Sequence, residues 1–208
     1  MKNTDYDIVI AGAGLAGASL ACLLRGSLYR TLVIDSKPLE IFSEGPNDSR
    51  GIALSSSSKK ILQTSNIWAC LESVASPIKH IHVSQKDSFG ITRIHAKDEK
   101  IEALGYVLPL SDLTQGFHGL LKHDDSIQTK FSCDILDLQN MQDKVDLQLS
   151  ENGKKTQVST KLLIASDGIN SKIREKLLIG ANTKNYGQSA IVANIETSEM
   201  PSSWAYER

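Results

Sequence analysis

The sequence predicts an α/β protein: a Rossmann-like parallel sheet with helices and an appended antiparallel β-meander. Three observations carry this. An apolar run, Asp7-Ile8-Val9-Ile10-Ala11, enters a glycine turn and a helix-like stretch, and a second apolar run, Thr31 to Ile34, follows. Segments of alternating polarity, Val145 to Leu149 and Thr156 to Thr160, flank the Glu151-Asn152-Gly153-Lys154 turn as a hairpin. A late continuous apolar run, Leu162 to Ala165, has the look of a buried parallel strand and ends in Ser166-Asp167-Gly168.

The first of these organises the rest. Gly12-Ala13-Gly14-Leu15-Ala16-Gly17 is G-x-G-x-x-G between strand and helix, and Asp35-Ser36 closes the second strand. In a Rossmann-like unit the first glycine makes the tight turn, the second admits a pyrophosphate, and the third lets the helix pack closely. The helix start offers unpaired N–H groups to phosphate, and an acid such as Asp35 accepts hydrogen bonds from a ribose diol. The reading is a bound adenine dinucleotide.

In chain order, Ser36 to Arg50 reads as a polar loop, and Ile52 to Leu54 leads into four serines that start a helix, Lys59 to Leu62, continued by Ile67 to Leu71. Ile78 to Ser84 alternates as one strand, with Ile91 to Ile94 returning as its hairpin partner. His80 and His82 share a face that reads as exposed and polar, with no third ligand at metal spacing. Tyr106 to Pro109 is extended; Ser111 caps a helix to about Lys122 with Leu113, Phe117, Leu120 and Leu121 on its apolar side and His118 on its polar side. Ile127 to Phe131 and Asp134 to Leu138 open the meander. After Gly168, Asn170 or Ser171 starts a helix through Leu178, and Ser189 to Glu196 reads as a last strand; Trp204 to Arg208 carries no terminating element.

Composition bounds the function. The 208 residues are 40% hydrophobic and 23% charged, an ordinary globular balance. A net charge of −1 gives no electrostatic footing for nucleic acid, and Cys22, Cys70 and Cys133 share no metal spacing and read as reduced thiols. Residues 8–24 carry no charge, yet Asp5 and Asp7 precede them where a signal peptide has Lys or Arg. The expected location is cytoplasmic, with peripheral contact at the inner membrane left open.

Four stretches resemble the flavin-dependent aromatic hydroxylases of the p-hydroxybenzoate-hydroxylase fold, in particular the ubiquinone-biosynthesis branch. They are Ile8 to Asp35; Asp48-Ser-Arg50-Gly-Ile-Ala-Leu54; Leu162 to Arg174, in the pattern D-G-x-x-S-x-x-R; and Ala190 to Glu196 with Tyr206-Glu-Arg208. The resemblance implies that Gly12, Ala13, Gly14, Leu15, Ala16 and Gly17 hold the FAD pyrophosphate and that Asp35 and Ser36 meet the adenosine ribose. Arg50 is brought to the FAD, and Asp167 and Gly168 lie near the pyrophosphate, with Ser171 and Arg174 as supports. It implies an FAD-binding domain over 1–75 and 104–180 and a partial substrate domain over 76–103 and 181–208. It further implies NAD(P)H as co-substrate, hydroxylation of a polyprenyl phenol with O2, no catalytic residue within this stretch, and a ubiquinone-biosynthesis complex as partner. The chain departs from the pattern at Asp35, where the family usually has Glu, and at Leu110, where many relatives are polar. The family's second FAD motif would lie beyond Arg208, so the chain corresponds to an N-terminal half and is expected to be inactive alone. Three alternatives stand beside this: another FAD oxidoreductase of the fold (a reductase or halogenase), an NAD-dependent dehydrogenase, and a non-catalytic dinucleotide-fold protein that binds prenylated partners.

Overall fold

The computed structural model describes residues 4–43, 50–195, 198 and 203–208. Backbone contacts group the chain into two units, 1–47 with 114–189 and 48–113 with 190–208. Residues 48–75 and 104–113, expected with the cofactor domain, group instead with the second unit.

The first unit is built on one six-stranded sheet. Strand β1 (Tyr6–Ala11) lies between β2 (Thr31–Ile34) and β11 (Lys154–Ala165), both parallel to it, and β8 (Ile127–Lys130) adds to β2, also parallel. Strands β9 (Cys133–Asn140) and β10 (Val145–Glu151) complete it antiparallel. Ile127 to Phe131 is expected in the meander, but its strand, Ile127–Lys130, is the outer parallel one. The two runs read as separate strands, Thr156 to Thr160 and Leu162 to Ala165, are one twelve-residue strand. Its first half pairs with β10 and its second half with β1, with Thr160 opposite both Val145 and Tyr6.

Val9, Leu32, Ile34, Cys133, Val145, Leu147 and Leu149 form a buried cluster. The alternation of β10 sends its three apolar residues there, as the sequence predicts. Helix α1 (Leu15–Leu23) buries Gly17, Ala18, Ala21 and Cys22. Such small side chains let a helix axis approach its sheet closely, the role expected of Gly17. The late apolar run is less enclosed than predicted: Leu162 is 51% exposed.

The second unit holds two three-stranded sheets. One orders β3 (Gly51–Ser55), β7 (Gly105–Pro109) and β4 (Ser76–Ile78). The other orders β12 (Trp204–Glu207), β5 (His80–Ser84) and β6 (Ile91–His95). The single strand expected over Ile78 to Ser84 is thus divided at Lys79 between two sheets. Ser55 accepts from the Ser58 N–H and caps α3 (Ser56–Thr64), so the serine run starts a helix as read. The expected exposed histidine face is not found. His82 is buried and lies by Tyr206, while His80 stacks on Trp204 and places its Nδ1 2.8 Å from that of His95.

Helix α4 (Leu110–Lys122) begins one residue before the proposed Ser111 cap. The short helix α2 (Glu40–Ser43) occupies part of the loop expected after Asp35, and α5 (Lys172–Lys176) is capped by Ser171. At the C-terminal side two expectations fail. Residues 189–195 are exposed and form no strand, with Glu196 outside the described residues, and Trp204–Glu207 pairs in parallel with β5. Among the described residues, no helix is long and apolar enough to cross a membrane.

Candidate functional site

The C-terminal ends of β1, β2 and β11 meet at the point where α1 begins, and their turns line a cleft of about 310 Å³. Gly12 and Gly14, Asp35 and Ser36, and Ser166, Asp167 and Gly168 all contribute to it, with Lys37, Cys133 and Lys172. Ligands gather at the carboxyl ends of strands in open α/β sheets because loops diverge there and helix N-termini point in. Six of the eleven residues singled out from the sequence therefore share one cleft, Ala13 lies in the turn between Gly12 and Gly14, and Leu15, Ala16 and Gly17 open α1. Arg50 belongs to the second unit, exposed before β3, its carbonyl accepting from the Leu110 N–H at 2.9 Å. Asp48 and Ser49 of that motif lie outside the described residues.

The glycine turn is held from several sides. Gly12 has φ +100°, and a Cβ there would overlap the Ser166 carbonyl, so β11 approaches as closely as a bare backbone allows. A Cβ on Gly17 would overlap the Gly12 carbonyl oxygen. Gly14 differs: a Cβ there would meet nothing within 4 Å, so its missing side chain leaves space rather than relieving a clash. Gly14 is also the N-cap of α1, whose first N–H groups have no intrahelical acceptor and carry the positive end of the helix dipole.

Two carboxylates face the same space. Asp35 accepts from Ala13 N–H at 2.6 Å through Oδ2 and from Lys37 N–H at 2.8 Å through Oδ1. Each of its oxygens keeps a second acceptor position, enough for a diol. Asp167 accepts from Ile173 N–H at 3.2 Å through Oδ2, while its Oδ1 is buried with no hydrogen-bond partner. An unpaired buried carboxylate oxygen is costly unless a donor reaches it. The Cys133 thiol, in the cleft wall, is pushed up by burial and stays protonated.

Sequence reasoning missed two supports. Ser166 Oγ lies 2.8 Å from the Ala11 carbonyl and 3.0 Å from that of Gly12, fastening β11 to the turn. His118, read as polar and unneeded, is buried on α4 with its Nε2 2.8 Å from the Ala13 carbonyl. Burial holds its imidazole below the ordinary histidine range and hence neutral near pH 7. The only signal was its place between Phe117 and Leu121, both buried.

The arrangement suits an anion at the α1 N-terminus, a diol at Asp35 and a donor group at Asp167. The FAD binding domain family matches residues 5–207. The chain is 29% identical over 190 residues to the ubiquinone hydroxylase UbiL of Rhodospirillum rubrum, covering 91% of this chain and 43% of that protein. It is 24% identical over 208 residues to the 3-demethoxyubiquinol 3-hydroxylase of Escherichia coli, covering 98% and 52%. Among solved structures it is similar to the flavin-dependent monooxygenase PieE in complex with FAD and substrate, with TM-score 0.69, 18% identity, and 86% of this chain and 33% of that one covered. The chain spans about half the length of such curated relatives. The open cradle at Gly14 and the unpaired Asp167 oxygen fit the adenosine and pyrophosphate end of FAD. The chain belongs to the FAD binding domain family.

Proposed function

We propose that the chain forms the nucleotide-holding part of an FAD-dependent monooxygenase that hydroxylates a phenolic, polyprenylated ring in ubiquinone biosynthesis, using NAD(P)H and O2. The flavin supplies the redox and oxygen chemistry, and the protein supplies position, charge and exclusion of water. The observation that carries the reading is the cleft where Gly14 leaves room and the buried Asp167 Oδ1 waits for a donor. The names of the relatives, a ubiquinone hydroxylase and a demethoxyubiquinol hydroxylase, supply the substrate class.

In this reading the N–H groups of Gly14, Leu15 and Ala16 hold the pyrophosphate, with Gly12, Ala13 and Gly17 shaping the turn. Asp35 takes the adenosine ribose hydroxyls on its remaining acceptor positions, and Ser36 borders them. Asp167 accepts a hydroxyl of the cofactor's chain at its free oxygen, and Gly168 lets that chain pass close to the backbone. Arg50 serves the cofactor. Residues 76–103 and 181–208 contribute to the substrate side. A lipid-soluble prenyl tail makes peripheral membrane contact and a biosynthetic complex natural partners.

The chain alone is expected to bind FAD without hydroxylating. The test is a titration of the purified chain with FAD, followed by flavin fluorescence, beside product analysis with a ubiquinone precursor, NADPH and O2. Saturable binding without product is the expected result. Absence of FAD binding by a longer natural chain containing these residues would overturn the reading, and product from the 208-residue chain would overturn the claim of inactivity.

A further inference from the structure

We infer that His118 is a positioning residue of the glycine turn, one that aims the Gly14 N–H into the cleft. The inference rests on the reading of that turn as the pyrophosphate site, and it starts from the two peptide units on either side of Ala13. In the unit between Gly12 and Ala13, the Gly12 carbonyl meets Ser166 Oγ at 3.0 Å and the Ala13 N–H donates to Asp35 Oδ2 at 2.6 Å. In the unit between Ala13 and Gly14, the Ala13 carbonyl meets His118 Nε2 at 2.8 Å. A trans peptide is planar, with its C=O and N–H pointing opposite ways. No peptide here is cis. Holding the Ala13 carbonyl toward α4 therefore turns the Gly14 N–H away from α4, on the side where Gly14 borders the cleft.

A carbonyl only accepts, so His118 Nε2 must carry the proton. Burial keeps the ring uncharged, and Phe131 packs on it with ring centres 5.6 Å apart, fixing its plane. With Ala13 itself fully buried, no water competes for its carbonyl. Loss of the donor leaves that carbonyl unpaired, and the peptide gains freedom to rotate. One donor of the pyrophosphate cradle then loses its aim.

The test uses three proteins: the wild type, His118→Gln, whose side-chain amide reaches the same carbonyl, and His118→Leu, which fills the space without a donor. ADP serves as probe, since it carries the pyrophosphate without the flavin. His118→Leu is expected to weaken ADP binding about tenfold, the cost of one misdirected hydrogen bond to a charged group, with His118→Gln recovering most of it. In ligand-free protein the ring should show the Nε2–H tautomer by nitrogen NMR, and the Gly14 amide should exchange faster in His118→Leu than in His118→Gln. Equal ADP affinity in wild type and His118→Leu, or equal loss in both folded variants, overturns the inference. So does an Nδ1–H tautomer in wild type, which decides the matter even where His118→Leu does not fold. Failure of the wild type to bind ADP overturns the pyrophosphate reading instead, while the tautomer and the amide exchange still judge His118.

Discussion

Gly14→Ala separates the cofactor cradle from the fold, because the space beside Gly14 is empty. A Cβ there meets no protein atom within 4 Å, and φ −65° with ψ −176° suits alanine. Alanine is a poorer N-cap than glycine by some tenths of a kcal/mol, and it gains a similar amount by restricting the unfolded chain, so stability should stay within about 1 kcal/mol. The ligand has no such tolerance. A methyl group between the backbone and a phosphate displaces one or two charge-assisted hydrogen bonds of about 1.5–3 kcal/mol each, a loss of at least tenfold in FAD affinity. Gly17→Ala is the contrast: its Cβ would overlap the Gly12 carbonyl and sit 2.6 Å from Ser166 Oγ. That substitution should cost about 3 kcal/mol through forced backbone movement. Urea unfolding of the ligand-free proteins beside FAD titration reads both quantities. Gly14→Ala binding FAD as tightly as wild type would refute the cradle, and a Gly14→Ala protein as destabilised as Gly17→Ala would refute the account of the turn.

Three more outcomes follow from individual contacts. Asp35→Asn exchanges an acceptor oxygen for an amide that faces an N–H, so urea unfolding should show a loss of about 2–3 kcal/mol, together with weaker FAD binding. The Lys161 ammonium, at 2.6 Å, and then the Arg30 N–H hold the Asp7 carboxyl down to about 2 from its ordinary 3.8. A depressed carboxyl stabilises the fold above its ordinary value and loses that contribution as pH falls through the folded one. Both cations are more than half exposed, so wild type should lose about 1 kcal/mol more than Asp7→Asn between about pH 5 and pH 2; parallel pH profiles would contradict this. Leu147→Ala removes a fully buried side chain from the sheet core and should cost about 2–5 kcal/mol by urea unfolding, with a loss under 1 kcal/mol placing that face in solvent.

Local chemistry makes the glycine turn legible. Gly12, Gly14, Gly17 and Asp35 are residue types that a phosphate-binding βαβ turn needs, and their spacing alone located the cleft. The alternation of β10 likewise announced its inward face. What stayed illegible depends on partners. Strand β11 was divided into two because its halves carry different patterns, one pairing with β10 and the other with β1, and the residue that joins them, Lys161, gives no sign of continuity. Lys79 separates β4 from β5 for a similar reason: two sheets claim the two halves of one alternating run. The run at 189–195 has strand composition and forms no strand, whereas Trp204–Glu207 pairs with β5. His118 reads as part of the polar side of α4 because a histidine carries no sequence mark of burial, whereas the folded chain buries it with its Nε2 at the Ala13 carbonyl.

In the proposed function, the turns after β1, β2 and β11 form one site for the nucleotide end of FAD. An amide-resolved NMR titration of the chain with FAD tests it most directly. Saturable shifts at Gly14 to Ala16, Asp35 to Lys37, and Asp167 to Gly168, reproduced by ADP at the first two groups, are the predicted result. Saturable FAD binding that leaves the Gly14 to Ala16 amides unmoved would contradict it.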